Sequence, residues 1–178
     1  MKMKYGYSPE QKVLLFIGRL IDEKRPLKMM ELFKRIVEKD SCYELLLVGS
    51  GELKEKVLDA IHTYGLDKKV QFIEKIPNTQ IWELYRISDA FVNLNRQEIF
   101  GMAILEAMYY GCKVVAWQAP GPGYIIENGV SGWLVNNDQE LMDKVFDNQD
   151  FSQSAHCRIR DKFTWESTAR KIVSTVEK

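Results

Sequence analysis

The chain has 178 residues, 46% of them hydrophobic and 28% charged, with 25 Lys plus Arg balanced by 25 Asp plus Glu. That length fits a single domain of about 100–200 residues and is enough to bury a real core. Zero net charge argues against a nucleic-acid binder, which carries a basic excess, and three scattered cysteines (Cys42, Cys112, Cys157) offer neither a disulfide framework nor a zinc site.

In chain order the pattern is strand, turn, helix, repeated. Val13–Gly18 (VLLFIG) is an apolar run closed by glycine. Pro26 suits a helix's first turn, and Leu27, Met30, Phe33 and Ile36/Val37 follow at helical spacing. Tyr43–Val48 is the next strand and ends at Gly49-Ser50-Gly51. Leu53, Val57, Ile61 and Tyr64 mark a helix face that Gly65 stops. A short strand is expected at Val70–Ile73, a helix over Thr79–Ile87, a strand at Ala90–Leu94, a helix over Gly101–Tyr110 and a strand at Lys113–Trp117. Pro120–Gly123 reads as a loop and Trp133–Val135 as a last strand. Gln139–Val176 reads as helices with a break near Phe163-Thr164. Met29-Met30 suit core packing, and His62 and His156 suit surface or packing roles.

Apolar strands alternating with amphipathic helices imply an α/β fold, Rossmann-like, with a mainly parallel sheet flanked by helices on both faces. Ligands in such sheets sit outside the carboxyl ends of the strands, where Gly18-Arg19, Gly49-Ser50-Gly51, Asn95–Gly101 and Pro120–Gly123 all fall. Arg19 and Lys24 place two cations near a strand end and a helix start, which suits a diphosphate; solvated surface charges are the plainer alternative. Gly49-Ser50-Gly51 can bring backbone close to a ligand or simply make a tight turn. It lacks the third glycine of a dinucleotide fingerprint, which argues against a dinucleotide-dependent oxidoreductase on a similar fold. Glu98 and Glu106 stand eight positions apart, about 12 Å along a helix. That is too far for two carboxylates to act on one bond, as sugar hydrolases require at about 5–10 Å. The spacing suits holding both ends of a long ligand, with free backbone N–H groups near Met102 and Ala103 between them.

The stretch Glu98–Glu106 (EIFGMAILE) resembles the E-x7-E motif of retaining GT-B glycosyltransferases of family 4, the glycosyl transferases group 1. The resemblance runs from Val13 to about Val176 through LLFIGRLIDEK, LLLVGSGELKEKV, the central LYRISDAFVNLNRQEIFGMAILEAMYYGCKVVA block, IIENGVSGWLV and KFTWESTARKI. It implies the C-terminal, nucleotide-sugar-binding domain of a GT-B fold over 13–178, with 1–12 as the stump of an interdomain linker and an N-terminal acceptor domain absent. By matching position, Arg19 and Lys24 contact the diphosphate and act in catalysis with Glu98. Glu98, with the backbone of Phe100 and Gly101, contacts the donor sugar. Glu106 binds the ribose, the amides of Met102 and Ala103 bind phosphate, and Gly18, Gly49, Gly51 and Ile76 complete the donor pocket. Three departures bear on specificity: Glu74 where the family has glycine, Ile99 inside the usual EGFG, and Tyr124 where glutamate is frequent.

The implied reaction moves a sugar, hexosyl in type, from a nucleoside diphosphate (a UDP- or GDP-sugar) to an acceptor hydroxyl with retention, in polysaccharide or glycolipid synthesis. No cofactor and no metal is expected, since the cations take a metal's role. The acceptor, a sugar or a lipid-linked molecule, belongs to the absent domain; without it the fragment is expected to be inactive. Reduced thiols and a polar N-terminus without a signal-peptide core point to the cytoplasm. Peripheral attachment of a full-length enzyme to the inner membrane face is compatible with this. A non-catalytic nucleotide-sugar-binding module is the alternative.

Overall fold

The computed structural model describes residues 1–176; Glu177 and Lys178, the last two residues of the expected domain, lie outside the described residues. Six strands form one all-parallel sheet: β1 (Lys12–Ile17), β2 (Tyr43–Val48), β3 (Val70–Ile73), β4 (Ala90–Asn93), β5 (Lys113–Trp117) and β6 (Trp133–Val135). Their order is β3-β2-β1-β4-β5-β6. Consecutive parallel strands need crossovers, and these run through α1 (Pro26–Lys39), α2 (Lys54–Thr63), α3 (Ile81–Ile87), α4 (Met102–Tyr109) and α5 (Pro120–Ile125). Three further helices follow β6: α6 (Asp138–Phe146), α7 (Ser152–Lys162) and α8 (Trp165–Val176).

The continuous apolar runs are explained by burial on both sheet faces. In β1, Leu14 and Phe16 face one core with Met29, Met30 and Phe33 of α1, Val57 of α2 and Leu141 of α6. Val13 and Leu15 face the other, with Leu84 of α3, Ile104 of α4, Ile125 of α5 and Ile159 of α7. Val13, Leu14 and Leu15 are fully buried, and such side chains contribute about 1.5–3 kcal/mol each relative to exposure. Met29 and Met30 are core residues, as expected. His62 lies on the surface beside Asp67, and His156 packs on the Tyr109 ring.

The structure corrects two expectations. Pro120–Gly123 is no loop but opens α5: proline at its start needs no N–H partner, and Gly121 and Pro122 are buried. The C-terminal helices break twice, at 147–151 as well as near Phe163; the first break follows the burial of Phe151 in the core. The first residues pack on the domain. Lys2–Tyr5 form a 3-10 turn, Lys2 Nζ binds Asp89 Oδ2 at 2.8 Å, and Tyr7 is buried.

Candidate functional site

The strand order reverses between β1 and β4, so the loops after these strands diverge and leave a crevice at the carboxyl edge of the sheet. At one wall a cavity of about 230 Å³ is lined by Gly18, Arg19, Gly49, Glu74, Ile76 and Ile81, among others. Three expected donor residues, Gly18, Gly49 and Ile76, therefore meet there with Arg19; Ser50 and Ile81 join them without having been expected. Gly51 does not line this cavity. Its role is to let neighbouring backbone pass, since a Cβ on it would lie 2.4 Å from Leu20 O; one on Gly49 would lie 1.8 Å from Gly18 O. Arg19 is exposed at the rim, and among the described residues no carboxylate forms an ion pair with it. Glu74, on the cavity lining, is held by Lys54 at 2.7 Å.

Lys24 and Glu98, which the sequence separates by 74 positions, meet as an ion pair of 2.5 Å. Burial works to raise the Glu98 pKa. The hydrogen bond and charge of Lys24, with hydrogen bonds to Asn93 and Asn95, outweigh it and hold the carboxyl below the ordinary glutamate range. Glu98 is thus ionised at neutral pH, an acceptor for hydroxyl groups. Asn93 and Asn95 are both buried and build this corner: Asn95 N–H donates to Asn93 Oδ1 (3.0 Å), Gln97 N–H to Asn95 Oδ1 (2.9 Å), and Asn95 Nδ2 to Glu98 Oε2 (3.3 Å). The motif NLNRQE carried these asparagines, but nothing in their spacing marked them as a scaffold.

Gly101 caps α4 at φ 94, the left-handed region that favours glycine. A Cβ there would lie 3.0 Å from Ile104 Cδ1 and 3.5 Å from Glu98 Cγ. No side chain caps this helix. The first-turn N–H groups of Met102 and Ala103 therefore open toward the crevice edge as donors. Phe100 and Met102 are exposed beside them. Farther along α4, Glu106 is half-buried and accepts a 2.8 Å hydrogen bond from the Tyr85 hydroxyl. Burial, then the charge and hydrogen bond of Glu106, push the Tyr85 pKa far up, so Tyr85 stays a donor. The start of α5 closes the site from below: Gly121 N–H donates to Glu98 O at 2.8 Å, and a Cβ on Gly121 would lie 2.5 Å from Phe100 O.

At the opposite edge of the sheet, a cavity bordered by Lys12, Asp89 and Lys113 is tied up structurally. Lys113 Nζ binds the carbonyls of Val145 (3.1 Å) and Asp147 (2.6 Å) at the end of α6. Among the described residues no group of three His, Cys, Asp or Glu could hold a metal ion, and no helix is long and apolar enough to cross a membrane.

An apolar-walled cavity, an unpaired arginine, a free helix start and an ionised glutamate share one edge, and residues 2–157 match the family described as Glycosyl transferases group 1. The chain belongs to that family. An uncharacterized glycosyltransferase of Methanocaldococcus jannaschii is 26% identical over 178 residues, covering 95% of this chain and 45% of that protein. N-acetyl-alpha-D-glucosaminyl L-malate synthase of Bacillus anthracis is 28% identical, covering 99% of this chain and 47% of that protein. The chain thus spans about half the length of these curated relatives. Among solved structures, Anabaena HepE in complex with UDP superposes with TM-score 0.86 at 22% identity, over 99% of this chain and 51% of that one. The C-terminal domain of a glycosyl transferase group 1 family protein from Francisella tularensis gives 0.80 at 24% identity, over 92% and 91%. The fold is the Rossmann-like one of GT-B C-terminal domains, and relatives in the family act in polysaccharide and glycolipid synthesis.

Proposed function

We propose that this chain is the donor half of a retaining glycosyltransferase, which binds a nucleoside-diphosphate sugar without a metal ion and passes a hexosyl group to an acceptor hydroxyl held by a separate N-terminal domain. The observation that carries the proposal is the convergence of Arg19, the Lys24–Glu98 pair and the uncapped start of α4 on one crevice. In this reading the base lies near Ile76 and Ile81, and Glu106 accepts from the ribose hydroxyls. The diphosphate lies against Arg19, Lys24 and the amides of Met102 and Ala103. Glu98, with the backbone of Phe100 and Gly101, accepts from the sugar.

As the glycosidic bond breaks, negative charge grows on the leaving diphosphate. Two cations and a helix start fixed beside it stabilise that charge without reorganising, which lowers the barrier. Glu98 already holds Lys24, so a sugar hydroxyl reaching Glu98 brings the adjoining phosphate to the same ammonium. HepE has been solved with UDP-glucose and TarM of S. aureus with UDP, which favours a UDP-sugar over a GDP-sugar here. We place the reaction in polysaccharide or glycolipid synthesis in the cytoplasm, with peripheral membrane association left to the acceptor-bearing part.

Calorimetric titration with UDP and UDP-glucose, and with GDP and GDP-mannose in parallel, all in excess chelator, tests this. Glu106→Ala should weaken the free diphosphate and the nucleotide-sugar alike, by about ten- to a hundredfold, the worth of hydrogen bonds to a charged group. Glu98→Ala should spare the free diphosphate and weaken only the sugar-bearing ligand. Equal losses for both ligands in the Glu98 variant, or an unchanged Glu106 variant, would overturn the assignment; so would binding that vanishes with the chelator.

A further inference from the structure

A second cationic constellation lies at the same edge, built from residues that the donor reading does not use. Trp117 ends β5 and is buried. The Arg96 guanidinium lies over its ring at 4.0 Å and the Arg25 guanidinium at 5.3 Å. Two like charges sharing one indole repel each other. The Arg25 pKa is lowered, first by burial and then by the charge of Arg96. One Arg25 nitrogen, Nη1, is buried without a hydrogen-bond partner among the described residues, and so is Trp117 Nε1. Buried donors without acceptors are costly, and each such group calls for an explanation.

Arg25 also has the single non-glycine backbone in the left-handed region among the described residues, at φ 56. Backbone held in a sparsely populated region persists where the surroundings enforce it, and such residues gather at binding sites. No carboxylate among the described residues forms an ion pair with Arg25, Arg96 or the nearby Arg35. The acids within range are engaged elsewhere or stand apart: Asp138 and Glu31 are held by Lys28 at 2.8 Å, and Asp22 and Glu23 are exposed on the wall of the adjoining cavity. That cavity, about 320 Å³, is bordered by Arg25, Asn95, Arg96 and Gln97. A second opening, lined by Arg35, Arg96, Trp117, Asn137 and the Lys28-paired Asp138, shares Arg96 with it.

We infer that Arg25 and Arg96, seated on Trp117, form a receptor for an anionic group, a carboxylate or phosphate, carried by a saccharide substrate. Guanidinium groups bind such anions through paired N–H donors, and stacking on an indole preorganises the fork. The site is separate from the cavity of Arg19, Gly18 and Ile76 and lies beyond Glu98, since Asn95–Gln97 lead directly into that residue. Its place next to the reacting sugar rests on the donor-site reading above; its affinity for an anion does not. The group therefore belongs either to an acidic donor sugar or to a charged acceptor.

Trp117 is its own reporter. Inorganic phosphate and glucuronate would be titrated into the Arg19→Ala protein, which disables the diphosphate end, and the emission compared with that of Arg19→Ala/Trp117→Phe. The expected result is a saturable change that belongs to Trp117 and needs about tenfold more anion after Arg96→Gln or Arg25→Gln. Arg25→Lys, which keeps the charge, should retain more affinity than Arg25→Gln, and circular dichroism checks that each variant folds. UDP-glucuronate is then compared with UDP-glucose on the protein with Arg19 intact. Tighter binding of the charged donor, lost in Arg96→Gln, assigns the anion to the donor; equal binding with the anion response preserved assigns it to the acceptor. A Trp117 signal that does not respond to either anion, or whose anion dependence is unchanged by both Arg25→Gln and Arg96→Gln, overturns the site. Failure of the Glu98 and Glu106 titrations with a preserved anion response would instead overturn the donor reading and leave this receptor standing.

Discussion

Tyr85 sits in the core with no exposed surface, yet its hydroxyl is committed to a carboxylate at the ligand edge. By occupying Glu106 Oε2 it restrains the carboxyl group and, in the reading proposed above, leaves Oε1 for a ribose hydroxyl. Tyr85→Phe removes the hydroxyl and keeps the ring. It should therefore erode the preference for UDP over 2′-deoxy-UDP by about tenfold, while the deoxy ligand, which asks less of Glu106, loses little. Calorimetry with the two nucleotides checks this; parallel losses for both would make Tyr85 a core residue and nothing more. The sequence announced Glu106 by its spacing from Glu98, but not Tyr85. A hydrogen bond across 21 positions depends on how α3 packs against α4, and no local pattern encodes that. The same holds for the Lys24–Glu98 pair. Each member was named as a candidate from the sequence, while their contact arises from two loops brought together by strand order.

Most elements were readable because their periodicity is that of their burial. All six strands and the helices of the first crossovers lie within a residue or two of where alternation and apolar spacing put them. The exception is α5, whose PGPG sequence carries loop chemistry. It is helical because tertiary packing overrides propensity: its first turn must pass within contact of Phe100. Gly121→Ala is therefore expected to act on the loop and not on the fold. The new Cβ would displace the Glu98–Phe100 backbone, so affinity for a nucleotide-sugar should fall while the free diphosphate binds as before. Gly49→Ala, whose Cβ meets backbone at 1.8 Å between β1 and β2, should instead destabilise the protein by about 1–3 kcal/mol or more, lowering Tm by about 2–4 °C for each kcal/mol. Thermal melts beside the titrations separate the two. A Gly121 variant that melts early and loses both ligands equally would count against α5 as the support of the sugar corner.

At the scale of the molecule, strand loops and a helix start line the crevice from one side among the described residues, and the proposed reading gives the other side to an acceptor-bearing domain. Enclosing a reacting bond requires a second wall, since positioning two reactants can contribute about 7–11 kcal/mol toward the barrier. The 178 residues alone should therefore bind donor and transfer nothing. A radiolabelled-donor assay with a broad acceptor panel is the measurement, and efficient turnover by the purified chain would overturn the two-domain reading. The reversal of strand order between β1 and β4 has a further consequence. In the proposed reading the loops after β1, β2 and β3 meet the base and those after β4 and β5 meet the sugar, while α4 also serves the ribose and the diphosphate between them. On the assignment proposed here, recognition of the base and recognition of the sugar are inherited from different halves of one sheet. Substitutions can then accumulate in one half and change which sugar is carried while the nucleotide handle stays the same, so a lineage can diversify its glycans without first changing its supply of activated donors.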